Sequence, residues 1–271
     1  MPYRIALVLL SLMFVISIPA QALEDAPSEK IVIGFPNVLP YHAEDDDGNV
    51  RGFYIDILDA VMGELGVSNY TYMGMPWGRA LKMLEGGKIH MLLAPLKTPQ
   101  REQYAYFSDA PLWPTYWGFF IRKDRQEDMA YRSYKDLNGK AVGLMRAYWL
   151  PPKIKAYAEK NADVRYGHSE ESNFKMLARD RLDLISSEYS IGRYYLQSLG
   201  IEDDVLFLKD NLFMAGNHYV AFSKKAVKAS FAKRFSAHLA AFKKTTQFQE
   251  LMKRHNMKIL DVQKGDWKIV N

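Results

Sequence analysis

Residues 69–102 read NYTYMGMPWGRALKMLEGGKIHMLLAPLKTPQRE, and three signals follow one another in them. "NYTYMGM" is rich in β-formers and predicts a strand. "PWGRALKMLEGG" opens on Pro76 and closes on Gly86 and Gly87, the asymmetry that brackets a short helix. "KIHMLLAP" is an apolar run of strand length, and it ends at a Thr-Pro turn. Strand, helix, strand implies a parallel pair with the helix packed across it.

Working outward, the same grammar continues in both directions. Upstream, "KIVIGFP" (30–36) predicts a buried strand, and Asp47-Gly48 predicts a hairpin turn within an acidic loop. The four acids there lack the alternating spacing of a calcium loop. "YIDILDAVMGELG" carries Leu58, Val61, Met62 and Leu65 on one helical stripe, with Gly66 placed to end it. Downstream of residue 125 a second αβ series begins. "YKDLNGKAVGLMR", "DVRYGH" and "LDLISSE" predict strands. "LPPKIKAYAEK", "SEESNFKMLARDR" (N-capped by Ser169) and "YSIGRYYLQSLG" predict helices. "HYVAFSKK" predicts a returning strand, followed by one long helix from about Ser230 to His255, with Phe231, Phe235, Leu239 and Phe242 on its apolar face. The expected fold is α/β in two lobes. The chain crosses near Gly118 to Arg125 and returns near Asn217 to Lys225.

The first 22 residues are set apart. Arg4 precedes the apolar run from Ile5 to Ile18, and Ala20-Gln21-Ala22 offers small residues where a signal peptidase reads. The run is shorter than the ~20 residues that span a bilayer. An exported protein, periplasmic in a Gram-negative host, is expected, cleaved before Leu23. The absence of cysteine means that its core holds without disulfides and that no lipid-anchoring cysteine ends the signal.

The 271 residues are 48% hydrophobic and 25% charged, enough for a sizeable core. The net charge of +5 comes from 36 basic and 31 acidic residues that are interspersed, which argues against nucleic-acid binding. No zinc-protease, P-loop, dinucleotide-binding or nucleophile-elbow motif occurs. The histidines at 42, 90, 168, 218, 238 and 255 show no metal-ligand spacing, and neither a metal nor a cofactor is expected.

Arg101 follows a predicted strand and turn, so it stands at the carboxyl end of a parallel strand, where α/β sheets collect ligands. A guanidinium there can take a carboxylate in bidentate fashion. The alternative is a surface ion pair with Glu102 or Asp109.

Four segments in order resemble the bacterial extracellular solute-binding proteins of family 3. They are "LPYHAEDDDGNVRGFYIDILDAVMGELG", "PWGRALKMLEGGKIHMLLAPLKTPQREQYAYFSDAPLW", "YKDLNGKAVGLMR" and "NFKMLARDRLDLISSE". The resemblance implies a type II periplasmic-binding-protein fold. It has two parallel-rich sheets flanked by helices and joined by a two-strand hinge that closes on a ligand. Residues 23–120 would form the first part of lobe 1 and 121–216 lobe 2. Residues 217–271 would supply the return strand and C-terminal helix that complete lobe 1.

It implies that Arg101 grips a ligand carboxylate, that Glu188 faces an α-ammonium, and that Trp77 stacks on the ligand, with Tyr41 of the Pro-aromatic pair nearby. Trp77 could instead be a core aromatic behind Pro76, and Glu188 a surface acid. Where family members carry small residues, this chain has Ala94 to Lys97 before the arginine and Arg146, Tyr148 and Trp149 in the second lobe. Those bulky groups put the identity of the amino acid in doubt, and Arg146 adds a cation.

The resemblance implies a monomeric, non-enzymatic binding protein that delivers an amino acid to an ABC permease of the inner membrane. Two alternatives share the scaffold. One is a cyclohexadienyl-dehydratase-like enzyme, favoured by a buried Glu188 that lacks a cationic ligand partner. The other is a stand-alone receptor for a membrane sensor.

Overall fold

In the computed structural model, residues 27–129, 131–145 and 150–261 are described. The predicted signal peptide and the residues Arg146, Tyr148 and Trp149 lie outside them.

The first half opens with β1 (Ile31–Phe35), whose IVIGF sequence is buried on both faces, as a central parallel strand requires. A hairpin of β2 (Ala43–Glu44) and β3 (Val50–Arg51) follows, turning through Gly48 at φ 80°. Helix α1 (Phe53–Glu64) buries Leu58, Val61 and Met62. Then come β4 (Tyr70–Gly74), α2 (Trp77–Gly86) and β5 (Met91–Leu96), in the predicted order. Gly87 ends α2 in the left-handed region at φ 73°, a conformation that costs a side-chain-bearing residue about 1 kcal/mol or more. The four-residue α3 (Pro99–Glu102) and the short β6 (Ala105–Phe107) complete this run.

Two ten-residue strands, β7 (Trp113–Arg122) and β12 (Met214–Ser223), cross between the halves. Between them lie β8 (Ala141–Met145), α4 (Pro152–Asn161), β9 (Asp163–Gly167), α5 (Glu170–Ala178), β10 (Leu184–Glu188), α6 (Tyr189–Leu199) and β11 (Val205–Phe207). The chain then returns to the first half with α7 (Ala229–Phe242) and α8 (Thr246–Arg254).

The expected two sheets are joined into one ten-stranded mixed sheet, whose main path is β4-β1-β5-β12-β7-β10-β8-β9. The reason lies in the crossing strands. Residues 113–117 of β7 pair with 214–218 of β12. Beyond that stretch, β12 pairs with β5 and β6 in the first half, and β7 pairs with β10 and β11 in the second. Each crossing strand thus belongs half to each side. It starts earlier than the sequence suggests, because its polar and aromatic first residues hide the strand pattern.

The predicted long C-terminal helix is two helices. Thr245 interrupts it by capping α8: its hydroxyl accepts from the Phe248 amide at 3.2 Å and donates to the Phe242 carbonyl at 2.7 Å. The apolar face survives, with Phe231, Phe235, Leu239 and Phe242 all fully buried. They join Phe53, Trp113 and Phe222 in the core of the first half, whereas Phe119, Leu137, Val142, Ile154 and Phe213 form a separate core in the second. Among the described residues, no helix is long and apolar enough to cross a membrane.

Candidate functional site

Parallel strands β4, β1 and β5 end together, and the residues just past their carboxyl ends converge. Thr98 caps α3 by accepting from the Arg101 amide at 3.3 Å, so the Thr-Pro turn fixes where the arginine starts. The Arg101 side chain turns back: Nη1 donates to the Leu96 carbonyl at 2.8 Å. Its Cζ lies 5.4 Å from the centre of the Trp77 ring, within cation–π range. Trp77 is the first residue of α2, placed there by Pro76. Neither Glu102 nor Asp109 pairs with Arg101; Glu102 takes Lys97 instead, at 3.2 Å. Arg101 is half-buried, and its side chain also hydrogen-bonds Tyr104.

Ala94 precedes this turn with φ 63°, a left-handed backbone inside a strand. The β5–β12 register shifts opposite it, between His218 and Val220. The kink and the bulge redirect the chain into Pro95-Leu96, whose carbonyl then receives Arg101.

Tyr41 and Glu188, 147 positions apart, meet in the interior. Glu188 ends β10 and caps α6, with 0% exposure. Its Oε2 accepts from the Tyr41 hydroxyl at 2.8 Å and from the Ser190 and Ile191 amides at 2.9 and 3.0 Å. Oε1 accepts from the Tyr116 amide at 3.3 Å. Burial pushes the Glu188 carboxyl up to about 7, against the downward pull of those donors. Tyr41 is 1% exposed and stacks on Tyr54 with ring centres 4.5 Å apart. The expectation placed both residues against a ligand; here they bind each other.

His218 links the two pairs. Its ring stands edge-on to Tyr41 at 5.4 Å, its Nδ1 lies 2.8 Å from the Tyr54 hydroxyl, and its backbone pairs with Leu96. Burial holds His218 down at about 3 and neighbouring His42 at about 4, so both are neutral at ordinary pH. Sequence reasoning missed Tyr54 and His218 as members of this cluster. Their one signal was polar aromatics inside apolar runs. A separate concavity of about 440 Å³, lined by residues including Arg51, Gln197 and Lys253, contains none of the predicted site residues. The strand ends, where a guanidinium, an aromatic face and a kinked backbone converge, are the stronger candidate.

Residues 31–258 match the bacterial extracellular solute-binding proteins, family 3. The chain belongs to that family. Comparison with curated proteins finds no match. Among solved structures, a mutant of ArgBP from T. maritima is similar at 20% identity and a TM-score of 0.64, covering 84% of this chain and 95% of that one. The amino acid ABC transporter substrate-binding protein AbpA from Streptococcus pneumoniae, bound to L-arginine, is 18% identical with a TM-score of 0.62, covering 83% and 93%. The ancestral amino-acid-binding protein AncCDT-1, a precursor of cyclohexadienyl dehydratase, is 21% identical with a TM-score of 0.64, again covering 83% and 93%. These likenesses show the type II periplasmic-binding-protein fold for this solute-binding protein.

Proposed function

We propose that this solute-binding protein is exported by residues 1–22 and works in the periplasm, where it captures a small carboxylate-bearing solute, an amino acid or a relative of one. It would deliver this solute to an ABC permease. Residues 23–120 with 217–271 form one lobe and 121–216 the other. The lobes close about the paired segments of β7 and β12, with no covalent chemistry. The observation that carries the reading is Arg101. It is held half-buried at the carboxyl end of β5 by the Leu96 carbonyl, by Trp77 and by Tyr104.

A micromolar ligand is held by about 8 kcal/mol. A charge-assisted hydrogen bond supplies ~1.5–3 kcal/mol of that, and a bidentate pair more. Arg101→Ala is therefore expected to weaken binding at least a hundredfold in calorimetric titration against amino acids, dicarboxylates and prephenate. An unchanged affinity in that variant overturns the assignment.

A second reading, an enzyme that removes carbon dioxide and water from prephenate-like acids, draws on one observation. Glu188 is buried and poised near neutrality, as a general acid is. Against it, the carboxyl has no exposed surface and faces Tyr41 and the α6 amides. Incubation with prephenate decides this reading: steady release of carbon dioxide above the uncatalysed rate supports the enzyme, and none removes it.

A further inference from the structure

A guanidinium grips a carboxylate tightly only if it is held in place before the solute arrives. An arginine that must be ordered on binding gives back much of what the contact supplies. The turn that carries Arg101 is short: α3 ends at Glu102, and the last carbonyls of a helix have no partner within it. The Arg101 carbonyl accepts from the Tyr104 amide at 3.1 Å. The next three carbonyls all go to one residue, Lys224. Its ammonium donates to the Glu102 carbonyl at 2.5 Å and to the Gln103 carbonyl at 3.4 Å, and its amide donates to the Tyr104 carbonyl at 3.0 Å. The ammonium also lies 5.3 Å from the centre of the Tyr106 ring, within cation–π range. Tyr104, fixed through its backbone amide and carbonyl, in turn hydrogen-bonds the Arg101 side chain.

Lys224 is well placed for this hold. It directly follows β12, whose last residue, Ser223, pairs with Ala105 of β6. By exposure it reads as surface charge, as Lys225 beside it does, but its bonds run to the turn that carries the arginine of the site. We propose that Lys224 is a positioning residue for the solute site: it fastens the carbonyls of residues 102–104 to the end of β12 and so holds Arg101, through Tyr104, in the orientation that meets a carboxylate. The inference rests on the reading of Arg101 as the carboxylate grip and deepens it. Lys224 itself touches no solute. Without its ammonium the turn keeps the Thr98 cap and the backbone bond at Tyr104 but loses its hold on the carbonyls between them, and the solute must order Arg101 as it binds.

The experiment measures, by titration calorimetry, the affinities of the common amino acids, succinate and prephenate for the exported protein, unfolded and refolded to free it of carried-over solute. The acid that binds most tightly is then titrated into variants. Lys224→Met keeps the stem and removes the ammonium, Lys224→Arg keeps the donors, and Lys225→Met removes an equal charge one residue away. The expected result is a fivefold or greater loss of affinity in Lys224→Met, with Lys224→Arg and Lys225→Met within twofold of the parent. Hydrogen exchange at the Glu102 and Tyr104 amides should also be faster in solute-free Lys224→Met. A loss smaller than fivefold, no recovery in Lys224→Arg, an equal loss in Lys225→Met or unchanged exchange overturns the proposal, and abolished binding in Arg101→Ala then shows that the grip itself stands. If no acid of the panel binds the parent, or Arg101→Ala binds as the parent does, the grip is wrong and the proposal falls with it. Should Lys224→Met not fold, Lys224→Gln takes its place under the same criteria.

Discussion

Ala94 is where a single residue's conformation shapes the site. Among the described residues three non-glycines have positive φ: Ala94, Asp180 and Asn256. Aspartate and asparagine tolerate that region through local hydrogen bonds, but alanine does not. The strain of about 1–2 kcal/mol exceeds the ~0.5–1 kcal/mol that glycine's extra chain entropy costs. Ala94→Gly is therefore expected to raise unfolding stability by ~0.5–1 kcal/mol, read from the urea midpoint. Ala94→Val, branched at Cβ, should lower it by ~1–3 kcal/mol. A glycine variant no more stable than the parent would show that the kink is not strained. At this scale the sequence spoke unevenly. The position of Arg101 just past a parallel strand was legible because a Thr-Pro turn after an apolar strand leaves few places for the next side chain. The burial of Glu188 was not, because its cover, Tyr41, arrives from 147 positions away.

At the scale of elements, the second half depends on how closely α6 lies on the crossing strand β7. A Cβ on Gly192 would stand 2.0 Å from Cζ of the Phe120 ring, which is itself fully buried against Phe174 and Phe207. The ring cannot yield without moving its neighbours, and α6 carries Glu188 at its cap. Gly192→Ala is expected to destabilise by ~1–3 kcal/mol, despite alanine's better helix propensity. The measurement is the chemical-denaturation midpoint, and a neutral or stabilising outcome would mean that α6 can lift from the sheet. Most elements were legible because periodicity and caps agree, as in α2 between Pro76 and Gly87. The two errors have separate origins. The sequence-level pattern of α7 and α8 is one amphipathic stripe, and the division falls at Thr245, a preferred N-cap type whose signal the stripe outweighs. The early starts of β7 and β12 were hidden because residues that pair across the junction are selected for that pairing and not for alternation. Their first halves, "WPTYW" and "MAGNH", read as loop.

For the whole molecule, the junction between the halves holds three groups that titrate in the acid-to-neutral range, displaced in opposite senses, and their balance shapes how stability follows pH there. Glu188 of the second half is raised to about 7 by burial, from a model-peptide value of 4.5. His42 and His218, packed around Tyr41 and Tyr54, are lowered from 6.5 to about 4 and about 3, mainly by burial. Between pH 4.5 and 6.5 the unfolded chain holds a proton on each histidine and none on Glu188. The folded chain holds one on Glu188 and none on the histidines. The unfolded state thus binds about one proton more, and stability rises with pH through this window by ~1.4 kcal/mol per unit. Between 6.5 and about 7 the sign reverses, since only the folded state still carries the Glu188 proton, so the maximum falls near pH 6.5. Glu188→Gln removes the opposing group. Its acid limb should steepen towards two protons per unit, and the decline above pH 6.5 should disappear. His218→Gln should instead flatten the acid limb almost completely. Denaturation midpoints at half-unit intervals from pH 4.5 to 8 would resolve these slopes, and a Glu188→Gln profile parallel to the parent's would mean that the carboxyl between the halves stays ionised throughout. A ligand that closes the halves without touching Glu188 should raise the whole curve and leave its shape unchanged. One that takes the Glu188 carboxylate as its counter-ion would hold it ionised and move the maximum to higher pH.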